Sequence, residues 1–348
     1  FASASSGKNS SRRQRYFCHS AKVVSCERPC SLAMINSRMP KSFALFSALL
    51  AVALWVADGG LWAQEKSFLW RAESGKGTVY LLGSIHMLKR EDMALKPVID
   101  EAFNKAKRLV FEVDLLDESP EKTQKLILQK GVNLDGKLLQ QKVSRETFQW
   151  ATIWANELGV DIKTLTPLKP WLAGLTLTIL HLQKLGFDPS AGVDRQLARR
   201  AQLAKKPVSG LETTESQFDL FDRLPAELQE MMLRYSIGEI EQLNKMVDGL
   251  VRAWRDGDVA TAEKLFLASL SQYPELQERL LDERNRNWLP QIEKLFQLGD
   301  DTLVVVGAAH LVGKNGAIEL LSSRGYKLEQ MRCRKQKAKF NRFRWHTG

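Results

Sequence analysis

Cysteine is scarce in this chain of 348 residues, which contains only four. Three of them, Cys18, Cys26 and Cys30, precede Met34, so that only Cys333 belongs to the remainder of the chain. Small folds that depend on disulfides need several closely spaced cysteine pairs. The main body is therefore expected to fold without internal disulfides, and its 44% of hydrophobic residues suffice for a sizeable core.

Several common catalytic motifs are also missing. The chain has no G-x-x-x-x-G-K-[ST] phosphate loop and no G-x-G-x-x-G after its first predicted strand, which excludes the usual nucleotide-binding signatures. It has neither an H-E-x-x-H zinc-binding helix nor a G-x-S-x-G nucleophile elbow. Because no such elbow surrounds Ser84, this residue is not predicted to be a nucleophile.

Acidic residues are few only at the two ends of the chain, and these ends account for the formal net charge of +11. Residues 1–63 contain eight Lys or Arg and two acidic residues, and residues 331–348 contain seven Lys or Arg and no acidic residue. The intervening residues 64–330 contain 36 basic and 38 acidic residues. A nucleic-acid-binding domain needs a basic face on its folded surface. We therefore predict no nucleic-acid partner.

The amino-terminal end is predicted to be targeting sequence. Residues 34–63 have the pattern of a secretory signal peptide, with Arg38 and Lys41 before an uncharged apolar run at 43–57. That run is shorter than the roughly 20 residues that a membrane helix needs. Cleavage after Ala63 is thus favoured over a retained anchor, and membrane contact is expected only through an uncleaved signal. The predicted location is the periplasm or the extracellular medium.

The two outermost segments are left out of the fold prediction. Residues 1–33 are rich in Ser and Arg, and are interpreted as an upstream extension or an organellar-type leader. Residues 331–348 show neither helical nor strand periodicity and are interpreted as a solvated basic tail.

Residues 64–330 are predicted to form one α/β domain. Apolar runs at 78–85 and 108–116 predict two strands around a helix that starts at Pro97, and such a βαβ unit has parallel strands. The two strands are expected to be neighbours. The segments DTLVVVGAAH, GAIELLSSRG and YKLEQM predict strand, helix and strand again near the other end. Residues 120–300 are mostly helical in pattern, with one short strand predicted at 206–212. The expected fold is a parallel or mixed sheet with a large helical insertion.

The most informative feature is an internal repeat, LLGSIHML at 81–88 and VVGAAHLV at 305–312. Each copy places a G-x-x-H motif at the end of a predicted strand. Ligands bind outside the carboxyl ends of parallel strands, so His86 and His310 are expected to face one crevice. Gly83 and Gly307 are expected to let the backbone curl and turn each ring inward, which side chains at these positions could block.

Glu112 supplies a third candidate ligand. It lies late in the second predicted strand, where a carboxylate is costly unless it is paired, protonated or bound to a cation. Two imidazoles and a carboxylate are a recurrent ligand set, and we predict that His86, Glu112 and His310 bind a divalent metal ion (Mn, Co or Zn). Alternatively, Glu112 pairs with an arginine such as Arg284. His181, in an apolar segment with helical spacing, is predicted to be a core residue.

These segments resemble the TraB/GumN family, which is related to the TIKI metalloproteases. The resemblance runs from about Phe68 to Glu329 and rests on GSIHML, VFEVD, GVDRQLARRAQLAKKPVSGLET, ERNRNW and VVVGAAHLVGKNGAIELLSSRGY. It implies a fold similar to erythromycin-esterase-like and ChaN-like proteins, with metal-dependent hydrolysis in the TIKI branch. Besides the three candidate ligands, it matches four residues to other recurring positions: Asp194, Glu212, Arg284 and Asn285.

The function predicted first is a secreted or periplasmic metal-dependent hydrolase, with a peptidase that acts on a peptide or protein favoured. Glu212 is the candidate base or fourth ligand, and Arg284 is the candidate that stabilises the oxyanion. The alternative is a non-catalytic haem- or metal-binding module of the ChaN-like type. A third hypothesis is an interaction protein whose helical middle docks a partner.

Overall fold

The computed structural model describes residues 65–333, without 75, 118, 238–239 and 271–272. The predicted leader at 1–33 and signal peptide at 34–63 lie outside the described residues, as do residues 334–348 of the predicted basic tail. The prediction that the tail begins at residue 331 is wrong, because residues 331–333 belong to the last strand of the sheet, Lys327–Cys333. Within the described part, no helix combines the length and the apolar character that a bilayer span requires.

A mixed six-stranded sheet forms the centre of the described residues. Its strands are β1 (Glu65–Glu73), β2 (Thr78–Ser84), β4 (Arg108–Phe111), β6 (Val208–Gly210), β7 (Thr302–Gly307) and β8 (Lys327–Cys333). They lie in the order β6-β4-β7-β2-β1-β8. A separate two-stranded sheet pairs β3 (Leu88–Lys89) with β5 (Phe187–Asp188).

The middle of the sheet is parallel and fully buried. Strand β7 pairs in parallel with β2 on one side and with β4 on the other, and β6 continues the parallel part beyond β4. Every residue of β2 and β7 is buried, as expected of Val- and Leu-rich strands that are covered on both faces. The antiparallel pairings of this sheet among the described residues are those of β1 with β2 and with β8. The predicted α/β class with a mixed sheet is confirmed.

Two details of the predicted sheet are wrong. The strands that precede His86 and Glu112 are not neighbours, because β7 lies between them. The second predicted strand ends at Phe111, so Glu112 directly follows it instead of lying inside it. Strand β1 was not predicted; four consecutive buried residues at 67–70 obscure the alternation that marks a strand.

The chain between β4 and β7 is mostly helical, which confirms the large helical insertion. Helix α1 (Pro97–Lys105) precedes β4 and helix α12 (Ala317–Ser323) follows β7. The helices of the insertion are α2 (Pro120–Leu126), α3 (Arg145–Glu157), α4 (Pro170–Lys184), α5 (Val193–Leu203), α6 (Thr214–Asp222), α7 (Ala226–Ile237), α8 (Ile240–Asp256), α9 (Val259–Leu270), α10 (Pro274–Gln277) and α11 (Glu283–Leu295). Single turns of 3₁₀ helix occur at Arg90–Asp92, Leu139–Gln141, Ile162–Thr164, Pro189–Ala191 and Ala308–Leu311, and π turns occur at Ile127–Gly131 and Glu278–Asp282.

The helical insertion has a small hydrophobic core of its own beside the main core around the sheet. Helices α3, α4 and α7 contribute apolar side chains such as Ala151, Leu177 and Leu233 to it. His181 on α4 is 6% exposed and its Nε2 lies 2.9 Å from Oδ1 of Asn244. The prediction that His181 is a core residue is confirmed.

Candidate functional site

The site lies where β2, β4 and β7 end. Since these strands are parallel, their carboxyl ends share one edge of the sheet. His86 follows β2 by two residues, Glu112 directly follows β4, and His310 follows β7 by three residues. All three residues line one cavity of about 710 Å³.

The missing side chain of Gly307 marks the point where the three candidate ligands converge. A Cβ atom there would lie 3.1 Å from Oε1 of Glu112, 3.4 Å from Nε2 of His86 and 3.6 Å from Cδ2 of His310. The amide of Gly307 donates a hydrogen bond of 2.7 Å to the same Oε1. Gly307 therefore holds Glu112 in place and leaves open the space that the three side chains share.

The two motif glycines matter because they have no side chain, and not because their backbone conformation is one that only glycine adopts. Neither Gly83 nor Gly307 has a positive φ, and Gly307 has φ −52° and ψ 136°. A Cβ at Gly83 would lie 2.5 Å from Cδ1 of Phe68 and 3.0 Å from Cα of Ala308. The prediction that these glycines give the backbone special freedom is wrong, whereas the prediction that side chains at these positions would be obstructive agrees with the close approaches. Gly83 permits tight packing under the site, and Gly307 keeps the site open.

His86 is oriented by Asp194 in the first turn of α5. Oδ2 of the carboxylate lies 2.7 Å from Nδ1 of the imidazole, so Nε2 is the nitrogen that faces the cavity. The ring projects into this open cavity, and 61% of its side chain is accessible. The surrounding protein disfavours a charged ring, but the hydrogen bond and the charge of Asp194, with a contribution from Glu112, raise the pKa of His86 to about 9.

His310 is held in the opposite way, by a neutral partner in a buried position. The residue is 3% exposed, and its Nδ1 lies 2.8 Å from Oδ1 of Asn285. Asn285 in turn donates from Nδ2 to the carbonyl of Asn315 at 2.8 Å. Burial and the positive charge of Arg284 outweigh the attraction of Glu112 and lower the pKa of His310 to about 3. The ring is therefore neutral at pH 7.

Arg284 determines which nitrogen of His310 carries the proton. Its Nη1 lies 2.8 Å from Nε2 of His310, and a guanidinium can only donate. Nε2 must therefore accept, which leaves the proton on Nδ1 for the hydrogen bond to Asn285. The lone pair of Nε2 faces the site, as it does in a metal-binding histidine.

The guanidinium of Arg284 lies at the centre of the polar cluster. Nη2 donates to Oε2 of Glu112 at 2.5 Å and also to Oε1 of Glu212, and Nε lies 3.2 Å from the same Glu212 oxygen. The ring of Trp288 lies 4.6 Å from Cζ. The alternative prediction of an ion pair between Glu112 and Arg284 is thus confirmed.

A π turn positions Arg284. Helices α10 and α11 are joined through the π turn at Glu278–Asp282, and Arg284 follows it by two residues. Nη1 of Arg284 donates to the carbonyl of Leu280 inside this turn at 3.0 Å. Such turns are frequent at functional sites, and this one supplies an acceptor that fixes the guanidinium.

Both glutamates have charged or polar donors around them. Burial would raise the pKa of Glu112, but the neighbouring imidazoles, Arg284 and the amide of Gly307 lower it to about 2. Because His310 is neutral at pH 7, Arg284 and the protonated His86 are the cations that lower the pKa of Glu112 there. Oε2 of Glu212 lies 3.3 Å from Nε1 of Trp288. The carboxylates are thus acceptors from several donors at once.

Two residues of the cluster were not predicted. Nε2 of Gln217 on α6 donates to Oε1 of Glu212 at 2.8 Å and to Oε2 of Glu112 at 3.2 Å, which ties the two carboxylates together. Trp288 packs on Arg284 and on the ring of His310, with 4.5 Å between the ring centroids. Trp288 is the last residue of the ERNRNW segment in the family resemblance and lies four residues after Arg284 on one helix face, whereas Gln217 had no signal in the sequence.

All seven polar residues singled out from the sequence are within this one cluster or in contact with it. They are His86, Glu112, Asp194, Glu212, Arg284, Asn285 and His310. Among the described residues, no three His, Cys, Asp or Glu side chains are grouped closely enough to hold a metal ion in this conformation. In this conformation Arg284 contacts the candidate ligand atoms of both Glu112 and His310.

Comparison with known proteins gives a family match and several relatives. The sequence model of the TraB/PrgY/gumN family matches residues 68–330. The uncharacterized protein YbaP of Escherichia coli strain K12 is 26% identical over 253 residues, which are 71% of this chain and 89% of that protein. An uncharacterized protein of Treponema pallidum is 22% identical over 281 residues, 75% of this chain and 82% of its own length. No solved structure matches.

Proposed function

This chain belongs to the TraB/PrgY/gumN family, and from that premise we propose that it is a metal-dependent hydrolase that cleaves an amide bond. The observation that carries the proposal is the convergence of His86, Glu112 and His310 on the open space beside Gly307. The matched relatives are uncharacterized, so the proposal rests on the site itself. The relation to TIKI and ChaN-like proteins and the haem-binding alternative stay predictions.

The donor set fits a divalent cation in chemistry and orientation. His86 has a carboxylate on the nitrogen remote from the site, and His310 has an amide oxygen there. Metal-binding histidines have such partners, which fix the ring and direct the other nitrogen to the ion. Glu112 is held by the amide of Gly307. We propose His86, Glu112 and His310 as ligands; a bound divalent ion would lower the pKa of a water molecule and polarise the substrate carbonyl.

Arg284 has two roles in this proposal. A cation and a guanidinium cannot share the lone pairs of His310 and Glu112, so ion binding requires that Nη1 and Nη2 leave these atoms. The contacts of Nε with Glu212 keep the side chain beside the site. Arg284 is then free to donate to the carbonyl oxygen as it gains negative charge.

The remaining residues hold these groups or move protons. In hydrolysis the oxygen of water bonds to the carbonyl carbon, the bond from this carbon to nitrogen breaks, and a proton from water goes to the departing amine. Glu212, a carboxylate beside Arg284, is proposed to accept the proton of the water and return it to nitrogen. Gln217 spaces the two carboxylates. The proposed location is the periplasm or the extracellular medium, supported by the signal-like segment 34–63.

An amide hydrolysis assay tests the proposal. The full chain is incubated with a broad library of peptides and acyl amides in the presence of Mn²⁺, Co²⁺ or Zn²⁺. We expect metal-dependent cleavage that falls by about 100-fold or more in His86→Gln and in His310→Gln, because each removes a ligand. His181→Gln is the matched control, since His181 lies in the separate helical core, and it should retain activity. Absence of cleavage with every metal, or equal activity in all three variants, would contradict the proposal.

A further inference from the structure

The cavity above the polar cluster is lined by two chemically different sets of residues. The polar residues belong mainly to the site described above, at the strand ends and on α5, α6 and α11. The residues that line it from helices α4, α8 and α9 are almost all apolar: Leu175, Ile179, Leu182, Val247, Leu250 and Phe266.

Helix α4 has a second apolar face that lines the cavity, besides the face that lies in the helical core. One face of α4, with Ala173, Gly174 and Leu177, is buried in the helical core, where Gly174 lies against Leu233 of α7. Leu175, Ile179 and Leu182 recur at the spacing of a second helix face and line the cavity. Leu175 is 38% exposed. Leu182 also packs against the main core, but an exposed helix position such as that of Leu175 is normally polar. The apolar side chains on this face of the cavity therefore fit a ligand with an apolar group.

The same lining offers little to a polypeptide backbone. Among the described cavity residues of α4, α8 and α9, Thr178 is the one with a polar side chain. Its hydroxyl donates to the carbonyl of Gly174 at 3.0 Å and is thereby engaged within its own helix. A bound peptide backbone needs partners for its own N–H and C=O groups. The lining therefore favours a hydrocarbon chain over an extended peptide.

We propose that the substrate is an N-acyl amide whose fatty acyl chain lies along α4 and α8, with its carbonyl at the polar cluster. This proposal rests on the proposed hydrolase function and specifies its substrate class. The volume of about 710 Å³ is within the range of cavities that enclose small ligands. The polar residues at one end and the apolar residues beside them match the two ends of an acyl chain that terminates in a carbonyl.

Binding of fatty acids tests the acyl site without any need for turnover. Saturated acids from butanoate to dodecanoate are titrated into the full chain by calorimetry. Each added methylene should lower Kd by about fourfold until the cavity is filled, because burial of one methylene contributes about 0.8 kcal/mol to binding. A Kd that does not change with chain length, or no binding of any acid, would overturn the proposal.

Variants on helices α4 and α3 test where the acyl chain binds. The double variant Leu175→Asn, Ile179→Asn introduces polar groups into the cavity, and the control Trp150→Asn, Ile153→Asn does the same on α3, where both side chains are about half exposed. We expect dodecanoate binding to weaken at least tenfold in the first variant and to stay unchanged in the second. Circular dichroism checks folding, and the single variant Leu175→Asn replaces the double variant if the latter unfolds. Unchanged affinity in the cavity variant overturns the proposal.

An activity series separates failure of the acyl proposal from failure of the hydrolase proposal. Acyl amides of increasing chain length are compared with peptides that carry polar side chains. If kcat/KM rises with chain length, both proposals hold. If the polar peptides are cleaved equally well, the acyl proposal fails and the hydrolase proposal stands. If acids bind with chain-length dependence but no amide is cleaved, the hydrolase proposal fails and the binding site stands.

Discussion

The site has two halves, one around His86 and one around His310, which begin with the same G-x-x-H motif but have opposite properties. His86 projects into the cavity, has a carboxylate partner and has a pKa raised to about 9. His310 is 3% exposed, has an amide partner, receives a hydrogen bond from Arg284 and has a pKa lowered to about 3. The motif thus sets where each imidazole lies, and residues far away in sequence set its charge. A divalent ion would meet one neutral ring, while the proton on the other would have to leave.

Of the substitutions considered, removal of Arg284 should have the largest effect on the difference between the His86 and His310 halves of the site. Arg284→Met leaves Glu112 and Glu212 buried without their cation, and loss of one partner of a buried ion pair costs about 3–5 kcal/mol. We expect the free energy of unfolding in urea to fall by that amount at pH 7 and by less near pH 4, where protonation relieves the repulsion of the carboxylates. At the same time the metal affinity should rise, since the competing guanidinium is gone. A stable variant with unchanged metal affinity would show that Arg284 does not occupy the ion site.

Exchange of the partner of His86 should remove its high pKa. In Asp194→Asn the carboxylate becomes an amide like that of Asn285, and we expect the pKa of His86 to fall by about 1–3 from its value of about 9. A group whose pKa is raised by folding stabilises the fold at pH values below its pKa in the unfolded chain, which is about 6.5 for histidine. This stabilisation is lost as the pH rises through 9. The wild type should therefore lose this contribution to stability between pH 6.5 and 9, and the variant should lose less. NMR titration of the imidazole signals measures the pKa directly, and an unchanged value in Asp194→Asn would be incompatible with the account.

The reciprocal exchange tests His310. In Asn285→Asp a carboxylate faces Nδ1, and we expect the pKa of His310 to rise by about 1–3 from about 3. The same NMR titration reports it. If the pKa of His310 stays low although the new carboxylate is ionised, burial and Arg284 outweigh the hydrogen-bond partner. The difference in pKa between His86 and His310 would then be due to burial and Arg284 alone.

The two motif glycines should differ in what their substitution damages. In Gly307→Ala the new methyl group lies among Glu112, His86 and His310, so metal affinity should fall at least tenfold while the fold is retained. In Gly83→Ala the methyl group meets Phe68 and Ala308, so stability should fall by about 1–3 kcal/mol, as overpacking does. Calorimetric metal titration and urea unfolding of both variants measure the two effects. Equal losses of affinity and stability in the two variants would argue against separate roles.

Sequence pattern predicted the position of the site better than its internal structure. The G-x-x-H repeat located both imidazoles because the carboxyl ends of parallel strands share an edge, whatever their order. It could not place β7 between β2 and β4, since that order depends on how the chain crosses over. The partners of the two rings lie 108 and 25 residues away along the chain, and only the folded structure brings them together. Gln217 had no signal, because one glutamine on an amphipathic helix is ordinary.

Titration with Mn²⁺, followed by NMR, tests the central claim most directly. The paramagnetic ion broadens signals of nuclei close to it, and the full chain has five histidines. We expect substoichiometric Mn²⁺ to remove the imidazole signals of His86 and His310 together while the signal of His181 persists. Loss of only one of the two signals, or of neither, would contradict a shared metal site formed by the two repeats.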